Sequence, residues 1–388
     1  MLSNRKLIID THCEIFDMLE DRADETFWNF EQHVQQNQLV LGAVYVIGRE
    51  QARLNSAVIQ NLINSNTISV VYSNPTEGSE PMEWNLHNAG FTELLTQGRM
   101  LVVTGGNINP AYPQILYENF LGKVHDYTEN IQAIQDYAVN QQTERPYKFL
   151  FLNGRMRDHR KYLLNKLQET GLLDQSLWTN LDSSAGVGAM QLTDPMNTLY
   201  YNYINNTILV HYLPAEYEVD RYRSQTLIPT ETLTDRLEGK FNLFKNEWGE
   251  IYLSSRPYLD TYFSLVTETV FDYPYSFRTE KLWKPMAIGH PFIIATGRGY
   301  YRDLHNLGFR TFGHLIDESF DLIDNNQQRI ERIANVVEDL CEQDLAAFIK
   351  ECYNVCKYNQ QHLEEMRLKV RQEFPDRFFQ AVNKQFNE

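Results

Sequence analysis

Four short apolar runs in the first hundred or so residues, Leu7 to Ile9, Leu41 to Ile47, Ile68 to Tyr72 and Met100 to Thr104, constrain this chain more than any other feature. Each is bounded by polar or glycine residues and is short for a helix, so each reads as a buried strand. Helical stretches, among them Ala57 to Asn64 and Asn85 to Leu95, fall between them. Strands alternating with helices imply crossover connections, and crossovers give a parallel sheet. The expected class is α/β.

The same alternation restarts further along. Tyr147 to Leu152 is an apolar strand that turns at Asn153-Gly154-Arg155-Met156-Arg157-Asp158-His159-Arg160 into an amphipathic helix, Lys161 to Thr170. A strand from Ile208 to His211 follows, then Tyr262 to Thr269, a helix, and a last strand from Pro291 to Thr296. At 388 residues the chain is long enough for two cores. A polar helix, Tyr127 to Gln142, leads to Thr143-Glu144-Arg145-Pro146, which sets the expected boundary: an N-terminal domain over 1–145 and a second over 146–324. The remainder, 325–388, reads as a helical tail of mixed charge, interrupted near Pro375 and packing on the body.

Charge narrows the function classes. With 35 basic and 51 acidic residues the formal charge is −16, which repels polyanions over the surface and disfavours extended nucleic-acid binding unless a local basic groove overrides it. Met1 to Lys6 lead straight into the first strand with no apolar signal core, and no run approaches the ~20 apolar residues of a membrane span. A soluble cytoplasmic protein is expected. Four cysteines, Cys13, Cys341, Cys352 and Cys356, suit reduced thiols. Cys352 and Cys356 lack a second pair at ligand spacing, so burial rather than metal binding is expected of them. The Asn205-Asn206-Thr207 sequon carries no weight without secretion.

The residues with the most chemistry lie in Phe277-Arg278-Thr279-Glu280-Lys281-Leu282-Trp283-Lys284-Pro285. Thr279 has the features of an N-cap, which fixes where Glu280 and Lys281 point. Adjacent helical residues diverge by about 100°, so these two are expected to meet different parts of one ligand rather than neutralise each other. A carboxylate can accept two ribose hydroxyls, while an ammonium suits diphosphate oxygens. Glu268, at the end of the preceding strand, would face the same crevice. Asn153, Arg155, Arg157 and Arg160 surround a second strand-to-helix turn, and guanidinium groups bind a diphosphate bidentately. Gly297-Arg298-Gly299 with Tyr300 is expected to be donor-adjacent, and the acids of Asp317-Glu318-Ser319-Phe320-Asp321 to solvate a loop.

These motifs resemble those of the α-1,3-fucosyltransferases and related glycosyltransferases of phages and bacteria. In that family an aromatic-x-Thr-Glu-Lys-Leu motif follows a strand ending in Phe-Glu-Asn-Ser, and phage members carry an Asn-x-x-x-Arg-x-His-Arg stretch. The family's tyrosine falls on Phe277, and Thr269 stands where asparagine is usual. The resemblance implies two Rossmann-like domains in the GT-B arrangement with a helical C-terminal tail. It also implies that Glu280 contacts the donor ribose, Lys281 the diphosphate and Glu268 the donor sugar or nucleotide, with Thr279 and Phe277 beside them. No Asp-x-Asp occurs in the chain, so no metal or cofactor is expected, and the basic side chains would carry the diphosphate's charge. An inverting displacement is implied, with a first-domain carboxylate as general base. Glu77 is the first candidate and Asp10 the second, ahead of Glu14, Glu80 and His12. The acceptor stays open among a glycan, a protein side chain and a modified nucleobase, in the host cytoplasm if the chain is phage-encoded. The alternative is a catalytically silent nucleotide-sugar-binding or assembly protein.

Overall fold

The computed structural model describes residues 6–10, 13–20, 28–29, 39–49, 56–123, 144–153, 157–180, 210–211 and 256–387. It is an α/β structure that divides into two compact units. Unit 1 comprises 1–122, 275–277 and 366–388, and unit 2 comprises 123–274 and 278–365. The expected helix from Tyr127 to Gln142, His12, Arg155 and the sequon lie outside the described residues.

Unit 1 holds a six-stranded sheet of β1 (Leu7–Ile9), β2 (Trp28–Asn29), β3 (Val44–Gly48), β4 (Ser69–Asn74), β5 (Met100–Thr104) and β6 (Gln114–Leu116), in the order β2-β1-β3-β4-β5-β6. Every pair is parallel. The chain leaves β1 to place β2 on one side and β3 on the other, so its direction reverses between β1 and β3. Helices α1 (Phe16–Glu20), α2 (Ser56–Asn64), α3 (Ser79–Asn88) and α4 (Thr92–Thr96) lie in the connections, and α5 (Asn119–Lys123) follows β6. The expected single helix from Asn85 to Leu95 is two helices. Gly90 at φ 75° ends α3, a conformation that a side chain resists. Tyr45, Tyr72, Phe91, Met82 and Leu94 fill the core between sheet and helices.

Unit 2 has five strands: β7 (Tyr147–Asn153), β8 (Leu177–Asn180), β9 (Val210–His211), β10 (Thr261–Thr267) and β11 (Phe292–Ala295), ordered β11-β10-β7-β8-β9. Among the described residues β9 pairs antiparallel with β8, and the other pairs are parallel. Its helices are α6 (Asp158–Glu169), α7 (Arg256–Leu259), α8 (Glu280–Ala287), α9 (Tyr300–Asn306) and α10 (Asn326–Cys341), and a long α11 (Leu345–Asn387) passes from unit 2 into unit 1. The tail is thus shared between the units rather than forming a body of its own.

Pro375 does not interrupt α11. The proline forfeits one backbone bond, but Phe374, Phe378, Val382 and Phe386 recur at helical spacing and are all buried in unit 1, and Phe374 packs on Tyr117 at 4.7 Å. Burying each such side chain is worth about 1.5–3 kcal/mol, which together outweighs the roughly 3 kcal/mol that an interior proline costs. All four cysteines are buried and free, and no helix among the described residues is long and apolar enough to cross a membrane.

Candidate functional site

In unit 2 the chain runs from β7 to β8 in one direction, whereas β10 and β11 lie on the other side of β7. Connections therefore leave the carboxyl ends of β7 and β10 in opposite directions, and in open parallel sheets that reversal opens a crevice in which ligands bind. The two stretches singled out from sequence flank it. Asn153 ends β7, and Arg157 stands at the N-cap position of the helix that follows, with no side-chain capping bond. Glu268 comes one residue after β10, and Thr279 caps the helix after that.

Glu268 is the hub. It is fully buried, and its two oxygens accept four hydrogen bonds. Thr279 N (3.0 Å) and Tyr300 Oη (2.9 Å) donate to Oε1, while Thr279 Oγ1 (2.7 Å) and Thr269 N (3.2 Å) donate to Oε2. Its backbone carbonyl accepts from His159 Nε2 (3.0 Å) and Arg160 Nη2 (3.2 Å), and Arg160 also donates to Thr267 O at 3.0 Å. Thr267 Oγ1 donates to Asn153 Oδ1 at 2.7 Å, which ties the ends of β10 and β7 together. Glu268, expected to contact donor, is instead enclosed by protein donors. Arg160, expected at a diphosphate, is spent on carbonyls because its helix begins against the end of β10. Both tie together the segments at these strand ends.

His159 is neutral here. Burial, then the neighbouring Arg160, pushes its pKa down to about 3, and its ring stacks on Phe271 at 5.1 Å. The bond to a carbonyl assigns its proton to Nε2.

Thr279 does cap α8, accepting from Lys281 N at 3.4 Å. Glu280 and Lys281 do not diverge as expected: Lys281 Nζ lies 2.6 Å from Glu280 Oε1 and also donates to Thr279 Oγ1 (3.3 Å) and Thr269 Oγ1 (3.5 Å). The 100° separation applies to Cβ vectors, and a four-carbon stem in the first turn is long enough to curl back over the helix start. Burial alone would raise the Glu280 pKa, but Lys281 and Lys284 outweigh it and hold the carboxyl below its ordinary value. The pair is half-buried, with side-chain exposures of 12% and 29%, so it stands at the surface of an otherwise closed network.

Behind this surface the loops are fixed from below. Arg329 is buried and donates to Phe271 O (2.7 Å), Thr296 O (3.0 Å), Ile323 O (2.8 Å) and Asn326 Oδ1 (2.6 Å). Asp321 does not solvate a loop: it is buried and accepts from Tyr301 N (3.1 Å) and Arg302 N (3.3 Å), fixing the start of α9 and with it Tyr300. Glu318 accepts from Thr311 Oγ1 and Phe312 N, both at 2.7 Å, and burial pushes its pKa up to about 7. Sequence reasoning passed over His159 and Arg329, and it left Tyr300 only beside the donor.

The unit 1 candidates occupy strand ends there. Asp10 follows β1 and is buried, its N–H on Val46 O at 2.9 Å. Glu77 sits in the turn after β4, its carbonyl accepting from Gly105 N (2.7 Å) and Thr104 Oγ1 (3.2 Å) and its carboxylate 3.6 Å from Arg49 Nη1. Phe277 belongs to unit 1 rather than with Glu280 and Lys281. Its ring is buried beside Phe120 at 6.2 Å, and a Cβ on Gly106 would come within 2.8 Å of it, so an apolar anchor replaces the expected phosphate neighbour. Among the described residues no three or more His, Cys, Asp or Glu side chains are grouped to hold a metal ion. No family model matches the chain, and neither a curated protein nor a solved structure matches it.

Proposed function

We propose that unit 2 binds a nucleoside-diphosphate sugar and that the protein is a GT-B-type glycosyltransferase, moving the sugar to an acceptor hydroxyl with inversion. The observation that carries this reading is the chain reversal between β7 and β10, with Arg157 beside one strand end and the Glu280–Lys281 pair on a capped helix start beside the other. Lys281 would exchange Glu280 for diphosphate oxygens, leaving the carboxylate to accept ribose hydroxyls. The amide groups opening α8 add positive potential for the same anion. In the reaction the bond from the anomeric carbon to the diphosphate oxygen breaks as the acceptor oxygen bonds to that carbon. The electron pair leaves on the diphosphate, and the acceptor's proton passes to a carboxylate, for which Glu77 and Asp10 are the first variants to make.

The test is a thermal-shift screen of the full chain against UDP, GDP, ADP and CMP and their sugars. A ligand at 100 times its Kd stabilises by about 2.7 kcal/mol, enough to read as a shift of several degrees. The expected result is a shift with one nucleotide class that Lys281→Ala removes. No shift with any nucleotide, or an equal shift in the variant, overturns the reading. Slow hydrolysis of the bound donor would separate an enzyme from a silent binder.

A further inference from the structure

Unit 1 carries a second concave feature, remote in sequence from the donor motifs. A shallow, open groove of about 360 Å³ lies between α3, α4 and the loop before β6. Its floor is Leu86 and Leu95, both buried, and its walls are Trp84, Tyr112, Glu80, Glu83 and His87. Glu80, Glu83, Trp84 and His87 are spaced i, i+3, i+4 and i+7, which puts them on one face of α3. Trp84 is 63% exposed there, a large aromatic surface left in water. The opposite wall is built rigidly. Glu83 Oε1 accepts from Asn109 N at 2.6 Å, and Asn109 turns the chain by accepting from Ala111 N (3.0 Å) and Tyr112 N (2.9 Å). Gln114 closes the turn by donating to Ile108 O, Asn109 O and Tyr112 O. The backbone of Tyr112 is thereby fixed at the edge of the groove.

We infer that this groove binds an organic ammonium ion, with Trp84 as the aromatic platform and Glu80 as counter-charge. The volume falls within the range of small-molecule sites. Among the described residues no lysine or arginine lines it, so two carboxylates stand against any anion. A cation over an indole face is attracted by the ring quadrupole, tryptophan being the best of the aromatic residues for this. Glu80, one turn before Trp84, adds Coulomb attraction on the same helix face, and the chain's net charge of −16 enriches cations near the surface. A neutral polyol would stack on the ring but gain nothing from the charge. The site is independent of the donor reading and stands or falls separately.

Calorimetric titration of the full chain with choline, its neutral isostere 3,3-dimethylbutan-1-ol, Nα-acetyl-lysine amide and methyl glucoside tests it. Choline, acetyl-lysine amide or both are expected to bind saturably. Choline alone identifies a small quaternary amine, and acetyl-lysine amide as well identifies a lysine side chain. Affinity should fall as salt rises, and Trp84→Ala should weaken it by roughly threefold to thirtyfold. Glu80→Gln should act in the same direction. Both side chains are exposed, so the unchanged melting temperature of each variant serves as the folding control. Equal binding of the isostere, binding of the glucoside without either cation, no binding at all, or an unaltered Trp84→Ala variant each overturns the proposal.

Discussion

Glu268→Gln isolates the buried network at the end of β10, because the change is isosteric and leaves no cavity. The amide oxygen can take the place of Oε1 and keep Thr279 N and Tyr300 Oη. The amide nitrogen then replaces Oε2, where Thr269 N lies 3.2 Å away, so one N–H points at another. The Thr279 hydroxyl, 2.7 Å off, must reverse to accept. One bond to a charged acceptor is lost, about 1.5–3 kcal/mol, and one N–H is left unmet, about 1 kcal/mol more, for a total of about 2.5–4 kcal/mol. Urea unfolding of the full chain reads this as a lowered midpoint at constant slope. Two further variants check the assignment of oxygens. Tyr300→Phe should cost about 1.5–3 kcal/mol in the parent, where its acceptor is charged, and about 1 kcal/mol in the Gln background, where the acceptor survives as an amide oxygen. Thr279→Ala should cost less in the Gln background than alone, a coupling that a double-mutant cycle isolates. A Glu268→Gln variant within about 0.5 kcal/mol of the parent would refute the hub, since a surface acid behaves that way. Nucleotide-induced thermal shifts should shrink in the same variant, because Lys281 rests on the Thr279 cap.

Arg329→Met should cost about 3–5 kcal/mol, at about 1 kcal/mol for each acceptor left unmet, and Arg329→Lys should not rescue it because one ammonium cannot replace a fork serving five acceptors. At roughly 2–4 °C per kcal/mol, the fall in melting temperature is easily read. Glu318 has a folded pKa of about 7 against an ordinary 4.5, so between those values the folded state keeps a proton that the unfolded chain releases and stability falls as pH rises. Glu318→Gln should remove that fall, making the variant more stable relative to its parent at pH 8 than at pH 5. His290 works in the opposite direction: burial, with Arg145 nearby, pushes its pKa down to about 3, so its contribution is complete above pH 6.5 and is lost as pH falls toward 3. His159 has the same sign, and His290→Gln should make the acid limb shallower by at most about 1.4 kcal/mol per pH unit. Glu280→Gln should free Lys281 and raise affinity for inorganic pyrophosphate while lowering the preference for ribonucleotides over it; unchanged binding of both would remove the pair from the site.

Where each local signal had a single physical cause, the sequence disclosed it. Central strands were legible because a strand buried on both faces needs an unbroken apolar run, and Val44–Gly48, Ser69–Asn74 and Met100–Thr104 overlap the runs expected. Trp28–Asn29 and Gln114–Leu116 were not legible, because an edge pairing of two or three residues is made by its neighbour's ladder rather than by its own pattern. Proline misled at 375 because its local cost was visible while the phenylalanine stripe's partners, from a segment some 250 residues away, were not. The N-cap at Thr279 was a local matter and was found. The network around Glu268 was not: an acid at a strand end was read as facing a ligand, because its side-chain donors come from positions 269, 279 and 300. The same limit separates Arg157 from Arg160. Three residues apart in sequence, one stands at the entrance of the helix, while the other, one turn on, is buried against the carbonyls of Thr267 and Glu268. An arginine's charge can be read from the sequence, but whether it faces a ligand or a carbonyl depends on which strand the fold lays beside it. For that reason the half-buried Lys281, rather than the arginine cluster, is the group on which a test of anion binding should turn.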